Sequence, residues 1–344
     1  MAADERALLA ATLDRLAREH DGAELTKALE HFGFADLLAA SPRVAVAALF
    51  TAMGRAGSMS AAIQDVLGGP VAGLSGRTRP GSQEDRADPG TAVLLPAAGQ
   101  QLAGALEDGA LSLRGLVLGQ RPADVVLAPV SSAGEIAWVR LPYPGPPARR
   151  VVTGLDPALA LTEIALTMAC GYGQGAARPA AEVVLAGDEA TRRWHAVAAA
   201  GRRALGYQIV GAVSQMIELA VGHARERVQF GRPVGSFQAV RHRLADAFVA
   251  REGAAATLEL AWEADDEQLA GLLAKSLAGR AARIAATQCQ QVLAGLGFTA
   301  EHSFHRYLAR TVVLDRVLGS AAELPAEIGA QLAAAGAIPR LAEL

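Results

Sequence analysis

The stretch that decides the fold is residues 223–246, HARERVQFGRPVGSFQAVRHRLAD. One long helical pattern leads into it and another leaves it, and the glycine and proline between them predict a turn. Arg227 stands at the end of the first helix, and Phe237 and Gln238 open the second. Guanidinium groups beside an aromatic ring and a helix N-terminus suit a planar ligand that carries phosphate. A helical hairpin with surface arginines is the alternative interpretation.

Composition indicates a large core made of small side chains. Hydrophobic residues make up 51% of the 344 residues and aromatic residues only 4%, which favours closely packed helices. A net charge of -3 implies no general affinity for nucleic acid or acidic membranes. Two cysteines make no disulfide framework and fit a reducing cytoplasm. The N-terminus is unlike a signal peptide, and no apolar run is long and clean enough to span a membrane.

The pattern of residues divides the chain into three predicted domains. Residues 1–90 are predicted to form a shortened helical domain that ends in a loop-rich connection from 68 to 91. Residues 91–187 contain short runs rich in valine and leucine, which predict a small antiparallel sheet or barrel. Within them, residues 158–169 fit a strand and a helix equally well. Residues 188–344 return to long helical patterns, so the expected fold class is mainly α with a central β-domain.

This order of segments, with RERVQFGRPVGSFQAVRHRLAD between two long C-terminal helices, resembles the acyl-CoA dehydrogenase family. Residues 288–310, QCQQVLAGLGFTAEHSFHRYLAR, resemble that family's Q-x-x-G-G-x-G-F/Y stretch and the helix after it. Residues 154–166 resemble the end of its central β-domain. The wording FTAEH-x-x-HRYLAR is similar to one branch, the short subunits of actinobacterial heterotetramers that dehydrogenate CoA esters of steroid side chains. The resemblance implies that the C-terminal helices form a four-helix bundle.

The resemblance also implies FAD as the cofactor, bound between subunits. In the family, a carboxylate removes a proton α to a thioester, and FAD accepts a hydride from the β-carbon. Arg227 would pair with the pyrophosphate of FAD, and Gln229 and Phe230 would line the adenosine region. The remaining residues implied for this site are Phe237, Gln238, Gln291 and the backbone from Val292 to Gly295. The alternative is that these residues only hold a helical hairpin together.

The family's catalytic base is missing from both places where the family carries it. In one group the glutamate lies twenty residues beyond the aromatic residue of the Gly-x-Gly-aromatic motif, and counting from Phe298 reaches Leu318. In another group it lies twenty-nine residues before the phenylalanine of the turn, and counting back from Phe230 reaches Gly201. Neither leucine nor glycine can accept a proton. We therefore assign no catalytic residue to this chain.

The N-terminal half departs from the family as well. The stretch that would meet the flavin ring, TAVLLPAAGQQLAG at 91–104, has no acid beside its proline. The sequence therefore predicts a non-catalytic subunit of an α2β2 heterotetramer, whose partner is a second acyl-CoA dehydrogenase-like chain. The partner would supply the glutamate and most of the acyl-CoA pocket. A catalytically silent scaffold or binding protein is the alternative, and an active homotetramer with a displaced acid such as Glu218 ranks third.

Other groups that could carry chemistry have simpler explanations. Glu226 lies between two arginines, which favours an ion pair, and Glu218 is expected on an exposed helix face. The Glu-His-x-x-His cluster at 301–305 lacks the further ligands that zinc requires, so helix capping is favoured. The GYGQG stretch at 171–175 lacks the strand-to-helix setting of a dinucleotide-binding loop, which favours a surface turn. We expect no metal site.

Overall fold

The computed structural model describes residues 3–76, 90–119, 122–145, 147–171, 180–299 and 301–336. Residues 77–89 of the predicted loop, and all of GYGQG except Gly171, lie outside the described residues. The described helices are α1 (Ala3–Glu19), α2 (Gly22–Phe32), α3 (Phe34–Ala40), α4 (Pro42–Ala56), α5 (Ala62–Gly68), α6 (Asp188–Glu226), α7 (Gln238–Leu260), α8 (Glu267–Leu293), α9 (Phe304–Arg316) and α10 (Leu324–Ala335).

Strands fill the middle of the chain. They are β1 (Thr91–Val93), β2 (Leu95–Pro96), β3 (Gly104–Glu107), β4 (Ala110–Val117), β5 (Val125–Ser132), β6 (Glu135–Pro142), β7 (Arg149–Val151), β8 (Thr162–Ala169), β9 (Glu182–Ala186), β10 (Val228–Gln229) and β11 (Arg232–Pro233). The first nine form one sheet in the order β7-β8-β4-β3-β5-β6-β9, with β1 beside β5 and β2 beside β4. β1 and β3 each pair with β5 in parallel, and the other pairings are antiparallel.

One compact unit contains α1, α4, α7–α10 and the part of α6 from Arg202 onward. Helices α4 and α6 cross here at two glycines. A Cβ at Gly54 would overlap the backbone of α6, and a Cβ at Gly211 would overlap the backbone of α4. The two backbones therefore touch without intervening side chains, which is the close approach that a composition rich in small residues allows.

The other compact unit contains the sheet, α2, α3, α5 and the start of α6. Along β4, buried and exposed residues alternate, so one face of the strand packs into the core. The side chain of Gln64 in α5 donates to Leu118 O at 3.1 Å and accepts from Val93 N at 2.9 Å, which attaches this helix to the sheet. The fully buried Trp138 of β6 donates its indole N–H to Ala190 O at 3.1 Å.

The predicted fold class is confirmed: helices, then a central sheet, then long helices. The segment 158–169, which the sequence left open, contains strand β8. The sheet is mixed rather than purely antiparallel, because β1 and β3 add parallel pairings to β5. The predicted domain limits at 90/91 and 187/188 stay a prediction. Among the described residues, α6 alone is long and apolar enough to cross a membrane, but 78% of its most apolar window is buried, as expected of a core helix.

Candidate functional site

The structure brings the two C-terminal motifs together. A cleft of about 340 Å³ lies beside the C-terminal part of α6 and the segment after α8. His223 and Glu226 of α6 line it together with Leu296 and His302 from the second motif. A second link joins α7 to α8, because the Arg243 guanidinium donates to the Gln288 side-chain oxygen at 2.8 Å. Residues that are at least 45 positions apart in sequence thus form one surface.

The turn after α6 is a two-residue hairpin between β10 and β11. Phe230 and Gly231 occupy its tip with φ of 53° and 77°, which is the geometry of a type I′ turn. A phenylalanine is unusual at a positive φ, because its Cβ is crowded there. Its ring is also 91% exposed, so packing within this chain does not explain the conformation. Strain combined with exposure of a large apolar ring is typical of a binding surface.

Aromatic and cationic groups stack beside this tip. The Phe230 and Phe237 rings meet edge to face, with centroids 6.1 Å apart and an interplanar angle of 88°. The Arg232 guanidinium carbon lies 4.2 Å from the centroid of the Phe237 ring. The side chain of Gln229 donates to Val228 O at 2.8 Å. Arg227 is exposed at the base of the hairpin, where its guanidinium is accessible to an anion.

The N-terminus of α7 has the features of an anion site. Phe237 precedes the helix and provides no side-chain cap, and the first turn of this 23-residue helix carries no acid. The amides there are therefore open to an acceptor from outside the helix. The Ser236 hydroxyl is buried and has no hydrogen-bond partner among the described residues. Arg227 and Arg241 contact this segment, because Arg227 O accepts from Val234 N at 2.8 Å and the Arg241 guanidinium donates to Gly235 O at 2.9 Å. Unsatisfied donors beside two arginines suit a pyrophosphate such as that of FAD, the cofactor that the resemblance implies.

The other residues predicted for the flavin site lie around this surface. Gln238 is exposed in the first turn of α7, and Gln291 is exposed in the last turn of α8. Gly295 is exposed in the short 3-10 segment that follows α8. The next residue of that segment, Leu296, lines the cleft. The adjacent Phe298 is 72% exposed. Each of these side chains or backbones can thus reach a ligand, and their roles stay predictions.

The counted base positions lie in a different setting. Gly201 is a buried residue of α6, and Leu318 is 7% exposed in the turn after α9. Arg202 follows Gly201 and donates from Nε to Leu318 O at 3.1 Å. The acids beside them face cations: Glu327 lies 3.7 Å from the Arg202 guanidinium, and an Asp315 oxygen lies 3.9 Å from Lys275 Nζ.

The displaced acids considered from the sequence, Glu218 and Glu226, both line the cleft; Glu218 is ion-paired, and Glu226 is exposed. Glu218 accepts from the Arg55 guanidinium at 2.6 Å, and its side chain is 49% exposed. An ion-paired carboxylate is a poor acceptor for a substrate proton, which argues against an active homotetramer. Glu226 lines the cleft with His223. Burial, with help from the neighbouring Arg227 and His302, lowers the pKa of the His223 imidazole, while Glu226 opposes this effect.

The described residues contain no group of three or more histidine, cysteine or acidic side chains that could hold a metal ion. His302 instead accepts from the backbone N–H of Phe304 at 3.2 Å, at the start of α9. This contact is the capping role that the sequence favoured over zinc. Three residues of the surface were missed from the sequence: Ser236, Leu296 and the cleft residue His223. Ser236 precedes the aromatic residue that opens α7, and that position is the only signal it offers.

Comparisons with known proteins identify the C-terminal part of the chain. Residues 195–331 match the family model "Acyl-CoA dehydrogenase, C-terminal domain". Acyl-CoA dehydrogenase IpdE2 of Mycobacterium tuberculosis is 37% identical over 115 residues, which are 33% of this chain and 36% of that protein. This chain thus spans about a third of the length of the curated relatives it matches.

Solved structures cover the whole chain at lower identity. The ChsE4–ChsE5 complex from Mycobacterium tuberculosis matches with a TM-score of 0.73 and 22% identity, over 99% of both chains. A Tcur3481–Tcur3483 steroid ACAD variant matches with a TM-score of 0.71 and 18% identity, over 98% of this chain and 99% of that one. These likenesses establish the fold, while the family model identifies the C-terminal domain. Residues 195–331 are therefore an acyl-CoA dehydrogenase C-terminal domain, and the chain as a whole has the fold of the matched structures.

Proposed function

We propose that this chain is the non-catalytic subunit of a heteromeric, FAD-dependent acyl-CoA dehydrogenase that desaturates a CoA thioester. The observation that carries the proposal is an asymmetry between two kinds of position in the C-terminal half of the chain. The turn that suits a flavin pyrophosphate is exposed and has unsatisfied donors. The positions where a base belongs hold Gly201 and Leu318, which cannot accept a proton.

The residues of this chain would act by binding and orientation. Arg227 would pair with the pyrophosphate, assisted by the open amides at the start of α7. Gln229, Phe230 and Phe237 would line the adenosine, with the exposed Phe230 ring as the flat apolar surface. Gln238, Gln291 and Gly295 would complete the site from α7 and the end of α8. The bound FAD supplies the hydride acceptor.

The chemical step requires a carboxylate that this chain lacks at the expected positions. We infer that a second acyl-CoA dehydrogenase-like chain supplies it, together with the flavin-ring contacts and most of the acyl-CoA pocket. Support comes from the two structural neighbours above, each of which is named for two components, ChsE4–ChsE5 and Tcur3481–Tcur3483. An α2β2 assembly fits this division of labour, because each FAD would then be bound by residues of both chains.

The substrate class follows from similarity alone. The matched structure named a steroid ACAD and the likeness to IpdE2 favour a CoA ester of a steroid side chain. A cytoplasmic location fits such a CoA-dependent reaction. A catalytically silent scaffold is the competing function, since the lack of a base at both expected positions suits it equally well. The two differ in whether the assembled complex contains flavin.

The test compares the chain alone with the chain co-expressed with an acyl-CoA dehydrogenase-like partner whose glutamate is intact. We expect the chain alone to be colourless and inactive, and the complex to show flavin absorbance and to oxidise an acyl-CoA. A chain that alone bound FAD and oxidised acyl-CoA would refute the proposal. A colourless complex would favour the scaffold.

A further inference from the structure

The turn Val317–Ser320, between α9 and α10, is held by groups that play no part in the proposed flavin site. Leu318 and Gly319 adopt φ of 59° and 95°, a left-handed conformation that is strained for leucine. Leu318 is 7% exposed and Ser320 is 1% exposed. A strained turn persists inside a protein only when its surroundings hold it, so the contacts of its backbone are informative.

Two buried cations donate to backbone oxygens within this turn and just before it. Lys275 of α8 is fully buried, and its Nζ donates to Asp315 O at 2.9 Å and to Gly319 O at 3.1 Å. Arg202 of α6 is 8% exposed and donates from Nε to Leu318 O at 3.1 Å. Burying an ammonium or a guanidinium is unfavourable unless acceptors replace water. Here, backbone carbonyls are the main acceptors, so the cations and the turn stabilise each other.

Acidic side chains accept hydrogen bonds from the backbone at the C-terminal end of the same turn. The Asp315 carboxylate accepts from Ala321 N at 3.0 Å, and Glu323 accepts from Ser320 N at 3.1 Å and from its hydroxyl at 2.7 Å. The charged groups that face Lys275 are Asp315, Arg202 and Glu323, and Glu327 faces Arg202. Backbone donors and acceptors of the turn are thus largely occupied by this chain's own side chains.

We propose that Lys275 and Arg202 are positioning residues that lock Val317–Ser320 in a closed conformation, whether or not cofactor is present. The lock itself is independent of the function proposed above. Its consequence for catalysis rests on that function: position 318, where a base is expected, carries no acid, and the backbone around it is also fixed. A carboxylate introduced at position 318 would extend from a backbone that two buried cations hold, and their positive charge would lower its pKa and make it a weaker base.

The composition of the chain offers a direct test. It contains 30 arginines but only two lysines, Lys27 and Lys275. Lys27 is exposed on α2, whereas Lys275 is fully buried. Burial, opposed by Asp315, lowers the pKa of Lys275 to about 8. At pH 8 a substantial fraction of the Lys275 amine is therefore unprotonated and able to react, so slow acylation of Lys275 reports that the amine is inaccessible.

The experiment is acetylation of the full-length chain with an N-hydroxysuccinimide ester at pH 8, quantified for both lysines by peptide mass spectrometry. In the wild type we expect Lys275 to react at least 100-fold more slowly than Lys27. The substitution Arg202→Met should raise the Lys275 rate at least tenfold and leave Lys27 unchanged, whereas Arg202→Lys should have a smaller effect. Similar rates for the two lysines in the wild type would overturn the proposal.

A second measurement covers the case in which Arg202→Met does not fold. Hydrogen exchange of the Ser320 and Ala321 amides should be slow in the wild type and at least tenfold faster in Lys275→Met, with Lys27→Met as the matched control. Equal exchange in Lys275→Met and the wild type would contradict the lock. Both measurements are made with and without flavin, so they can fail independently of the proposed function.

Discussion

Two turns of the same helical unit share a backbone conformation but differ in their exposure and in their hydrogen-bond partners. In each, a large apolar residue and a glycine have consecutive positive φ values: Phe230 and Gly231 in the hairpin, Leu318 and Gly319 in the turn after α9. Phe230 is 91% exposed, whereas Leu318 is 7% exposed. The same local strain is thus presented to the outside in one place and enclosed in the other.

The hydrogen-bond partners of the two turns indicate which of them is expected to bind another molecule. Around Leu318, this chain provides the hydrogen bonds itself, through Lys275 and Arg202. Around Phe230, an uncapped helix start and the buried Ser236 hydroxyl lack partners among the described residues. Because unsatisfied buried donors are unfavourable, the hairpin is the turn at which we expect a ligand or another chain to bind.

The largest expected effect comes from the two glycines. Gly319→Ala would place a Cβ against Leu324 in addition to straining the left-handed backbone, whereas Gly231→Ala would place it in open space. We expect Gly319→Ala to lower the free energy of unfolding by about 3 kcal/mol and Gly231→Ala by about 1 kcal/mol. Urea denaturation of both variants measures this, and equal losses would remove the distinction between the turns.

The second effect depends on pH and concerns the enclosed turn alone. Burial lowers the pKa of Lys275 from 10.5 to about 8 in the folded chain. Between these values the unfolded chain holds more protons, so the free energy of unfolding rises with pH. The unfavourable contribution is complete below pH 8 and is relieved towards pH 10.5, by about 3 kcal/mol in total.

The measurement is the difference between the wild type and Lys275→Met in unfolding free energy from pH 7 to pH 10. Taking the difference cancels other groups, among them Cys289, whose pKa burial raises to about 12. That shift acts in the opposite direction, since the unfolded thiol loses its proton first. A difference that did not change with pH would show that the ammonium is not buried in the way described.

The third comparison truncates the apolar residue of each turn. Leu318→Ala removes a buried side chain and should destabilise the fold by about 2 kcal/mol. Phe230→Ala removes an exposed ring and should change stability by less than about 0.5 kcal/mol. Thermal denaturation of the isolated chain distinguishes them. A large loss for Phe230→Ala would mean that its ring packs within this chain and is not kept for a ligand.

Local patterns predicted most of the fold. Apolar residues at helical spacing located the long helices, including α8 at Glu267–Leu293, and short valine-rich runs located most strands. Strand β3 was missed because it has only four residues and lies half-buried. Strand β9 was missed for a similar reason, since its five residues do not alternate clearly between buried and exposed.

The candidate site was predictable only in part. The motif at 223–246 indicated an anion-binding turn because arginine, aromatic and helix-start signals are close in sequence. The lock around Leu318 was not predictable, because Lys275 and Arg202 are distant from it in sequence. A lysine within an apolar helix does not show which other segment it contacts. Long-range contacts of this kind depend on packing, which no local pattern encodes.

The central claim is that the exposed hairpin holds flavin for chemistry that is completed by another chain. The most direct test is the flavin-to-protein ratio of the co-purified complex carrying Arg227→Ala, with Arg225→Ala, two residues earlier and also exposed, as the matched control. We predict at least a tenfold weaker retention of flavin for Arg227→Ala and wild-type retention for Arg225→Ala. Full flavin content in the Arg227→Ala complex would contradict the account.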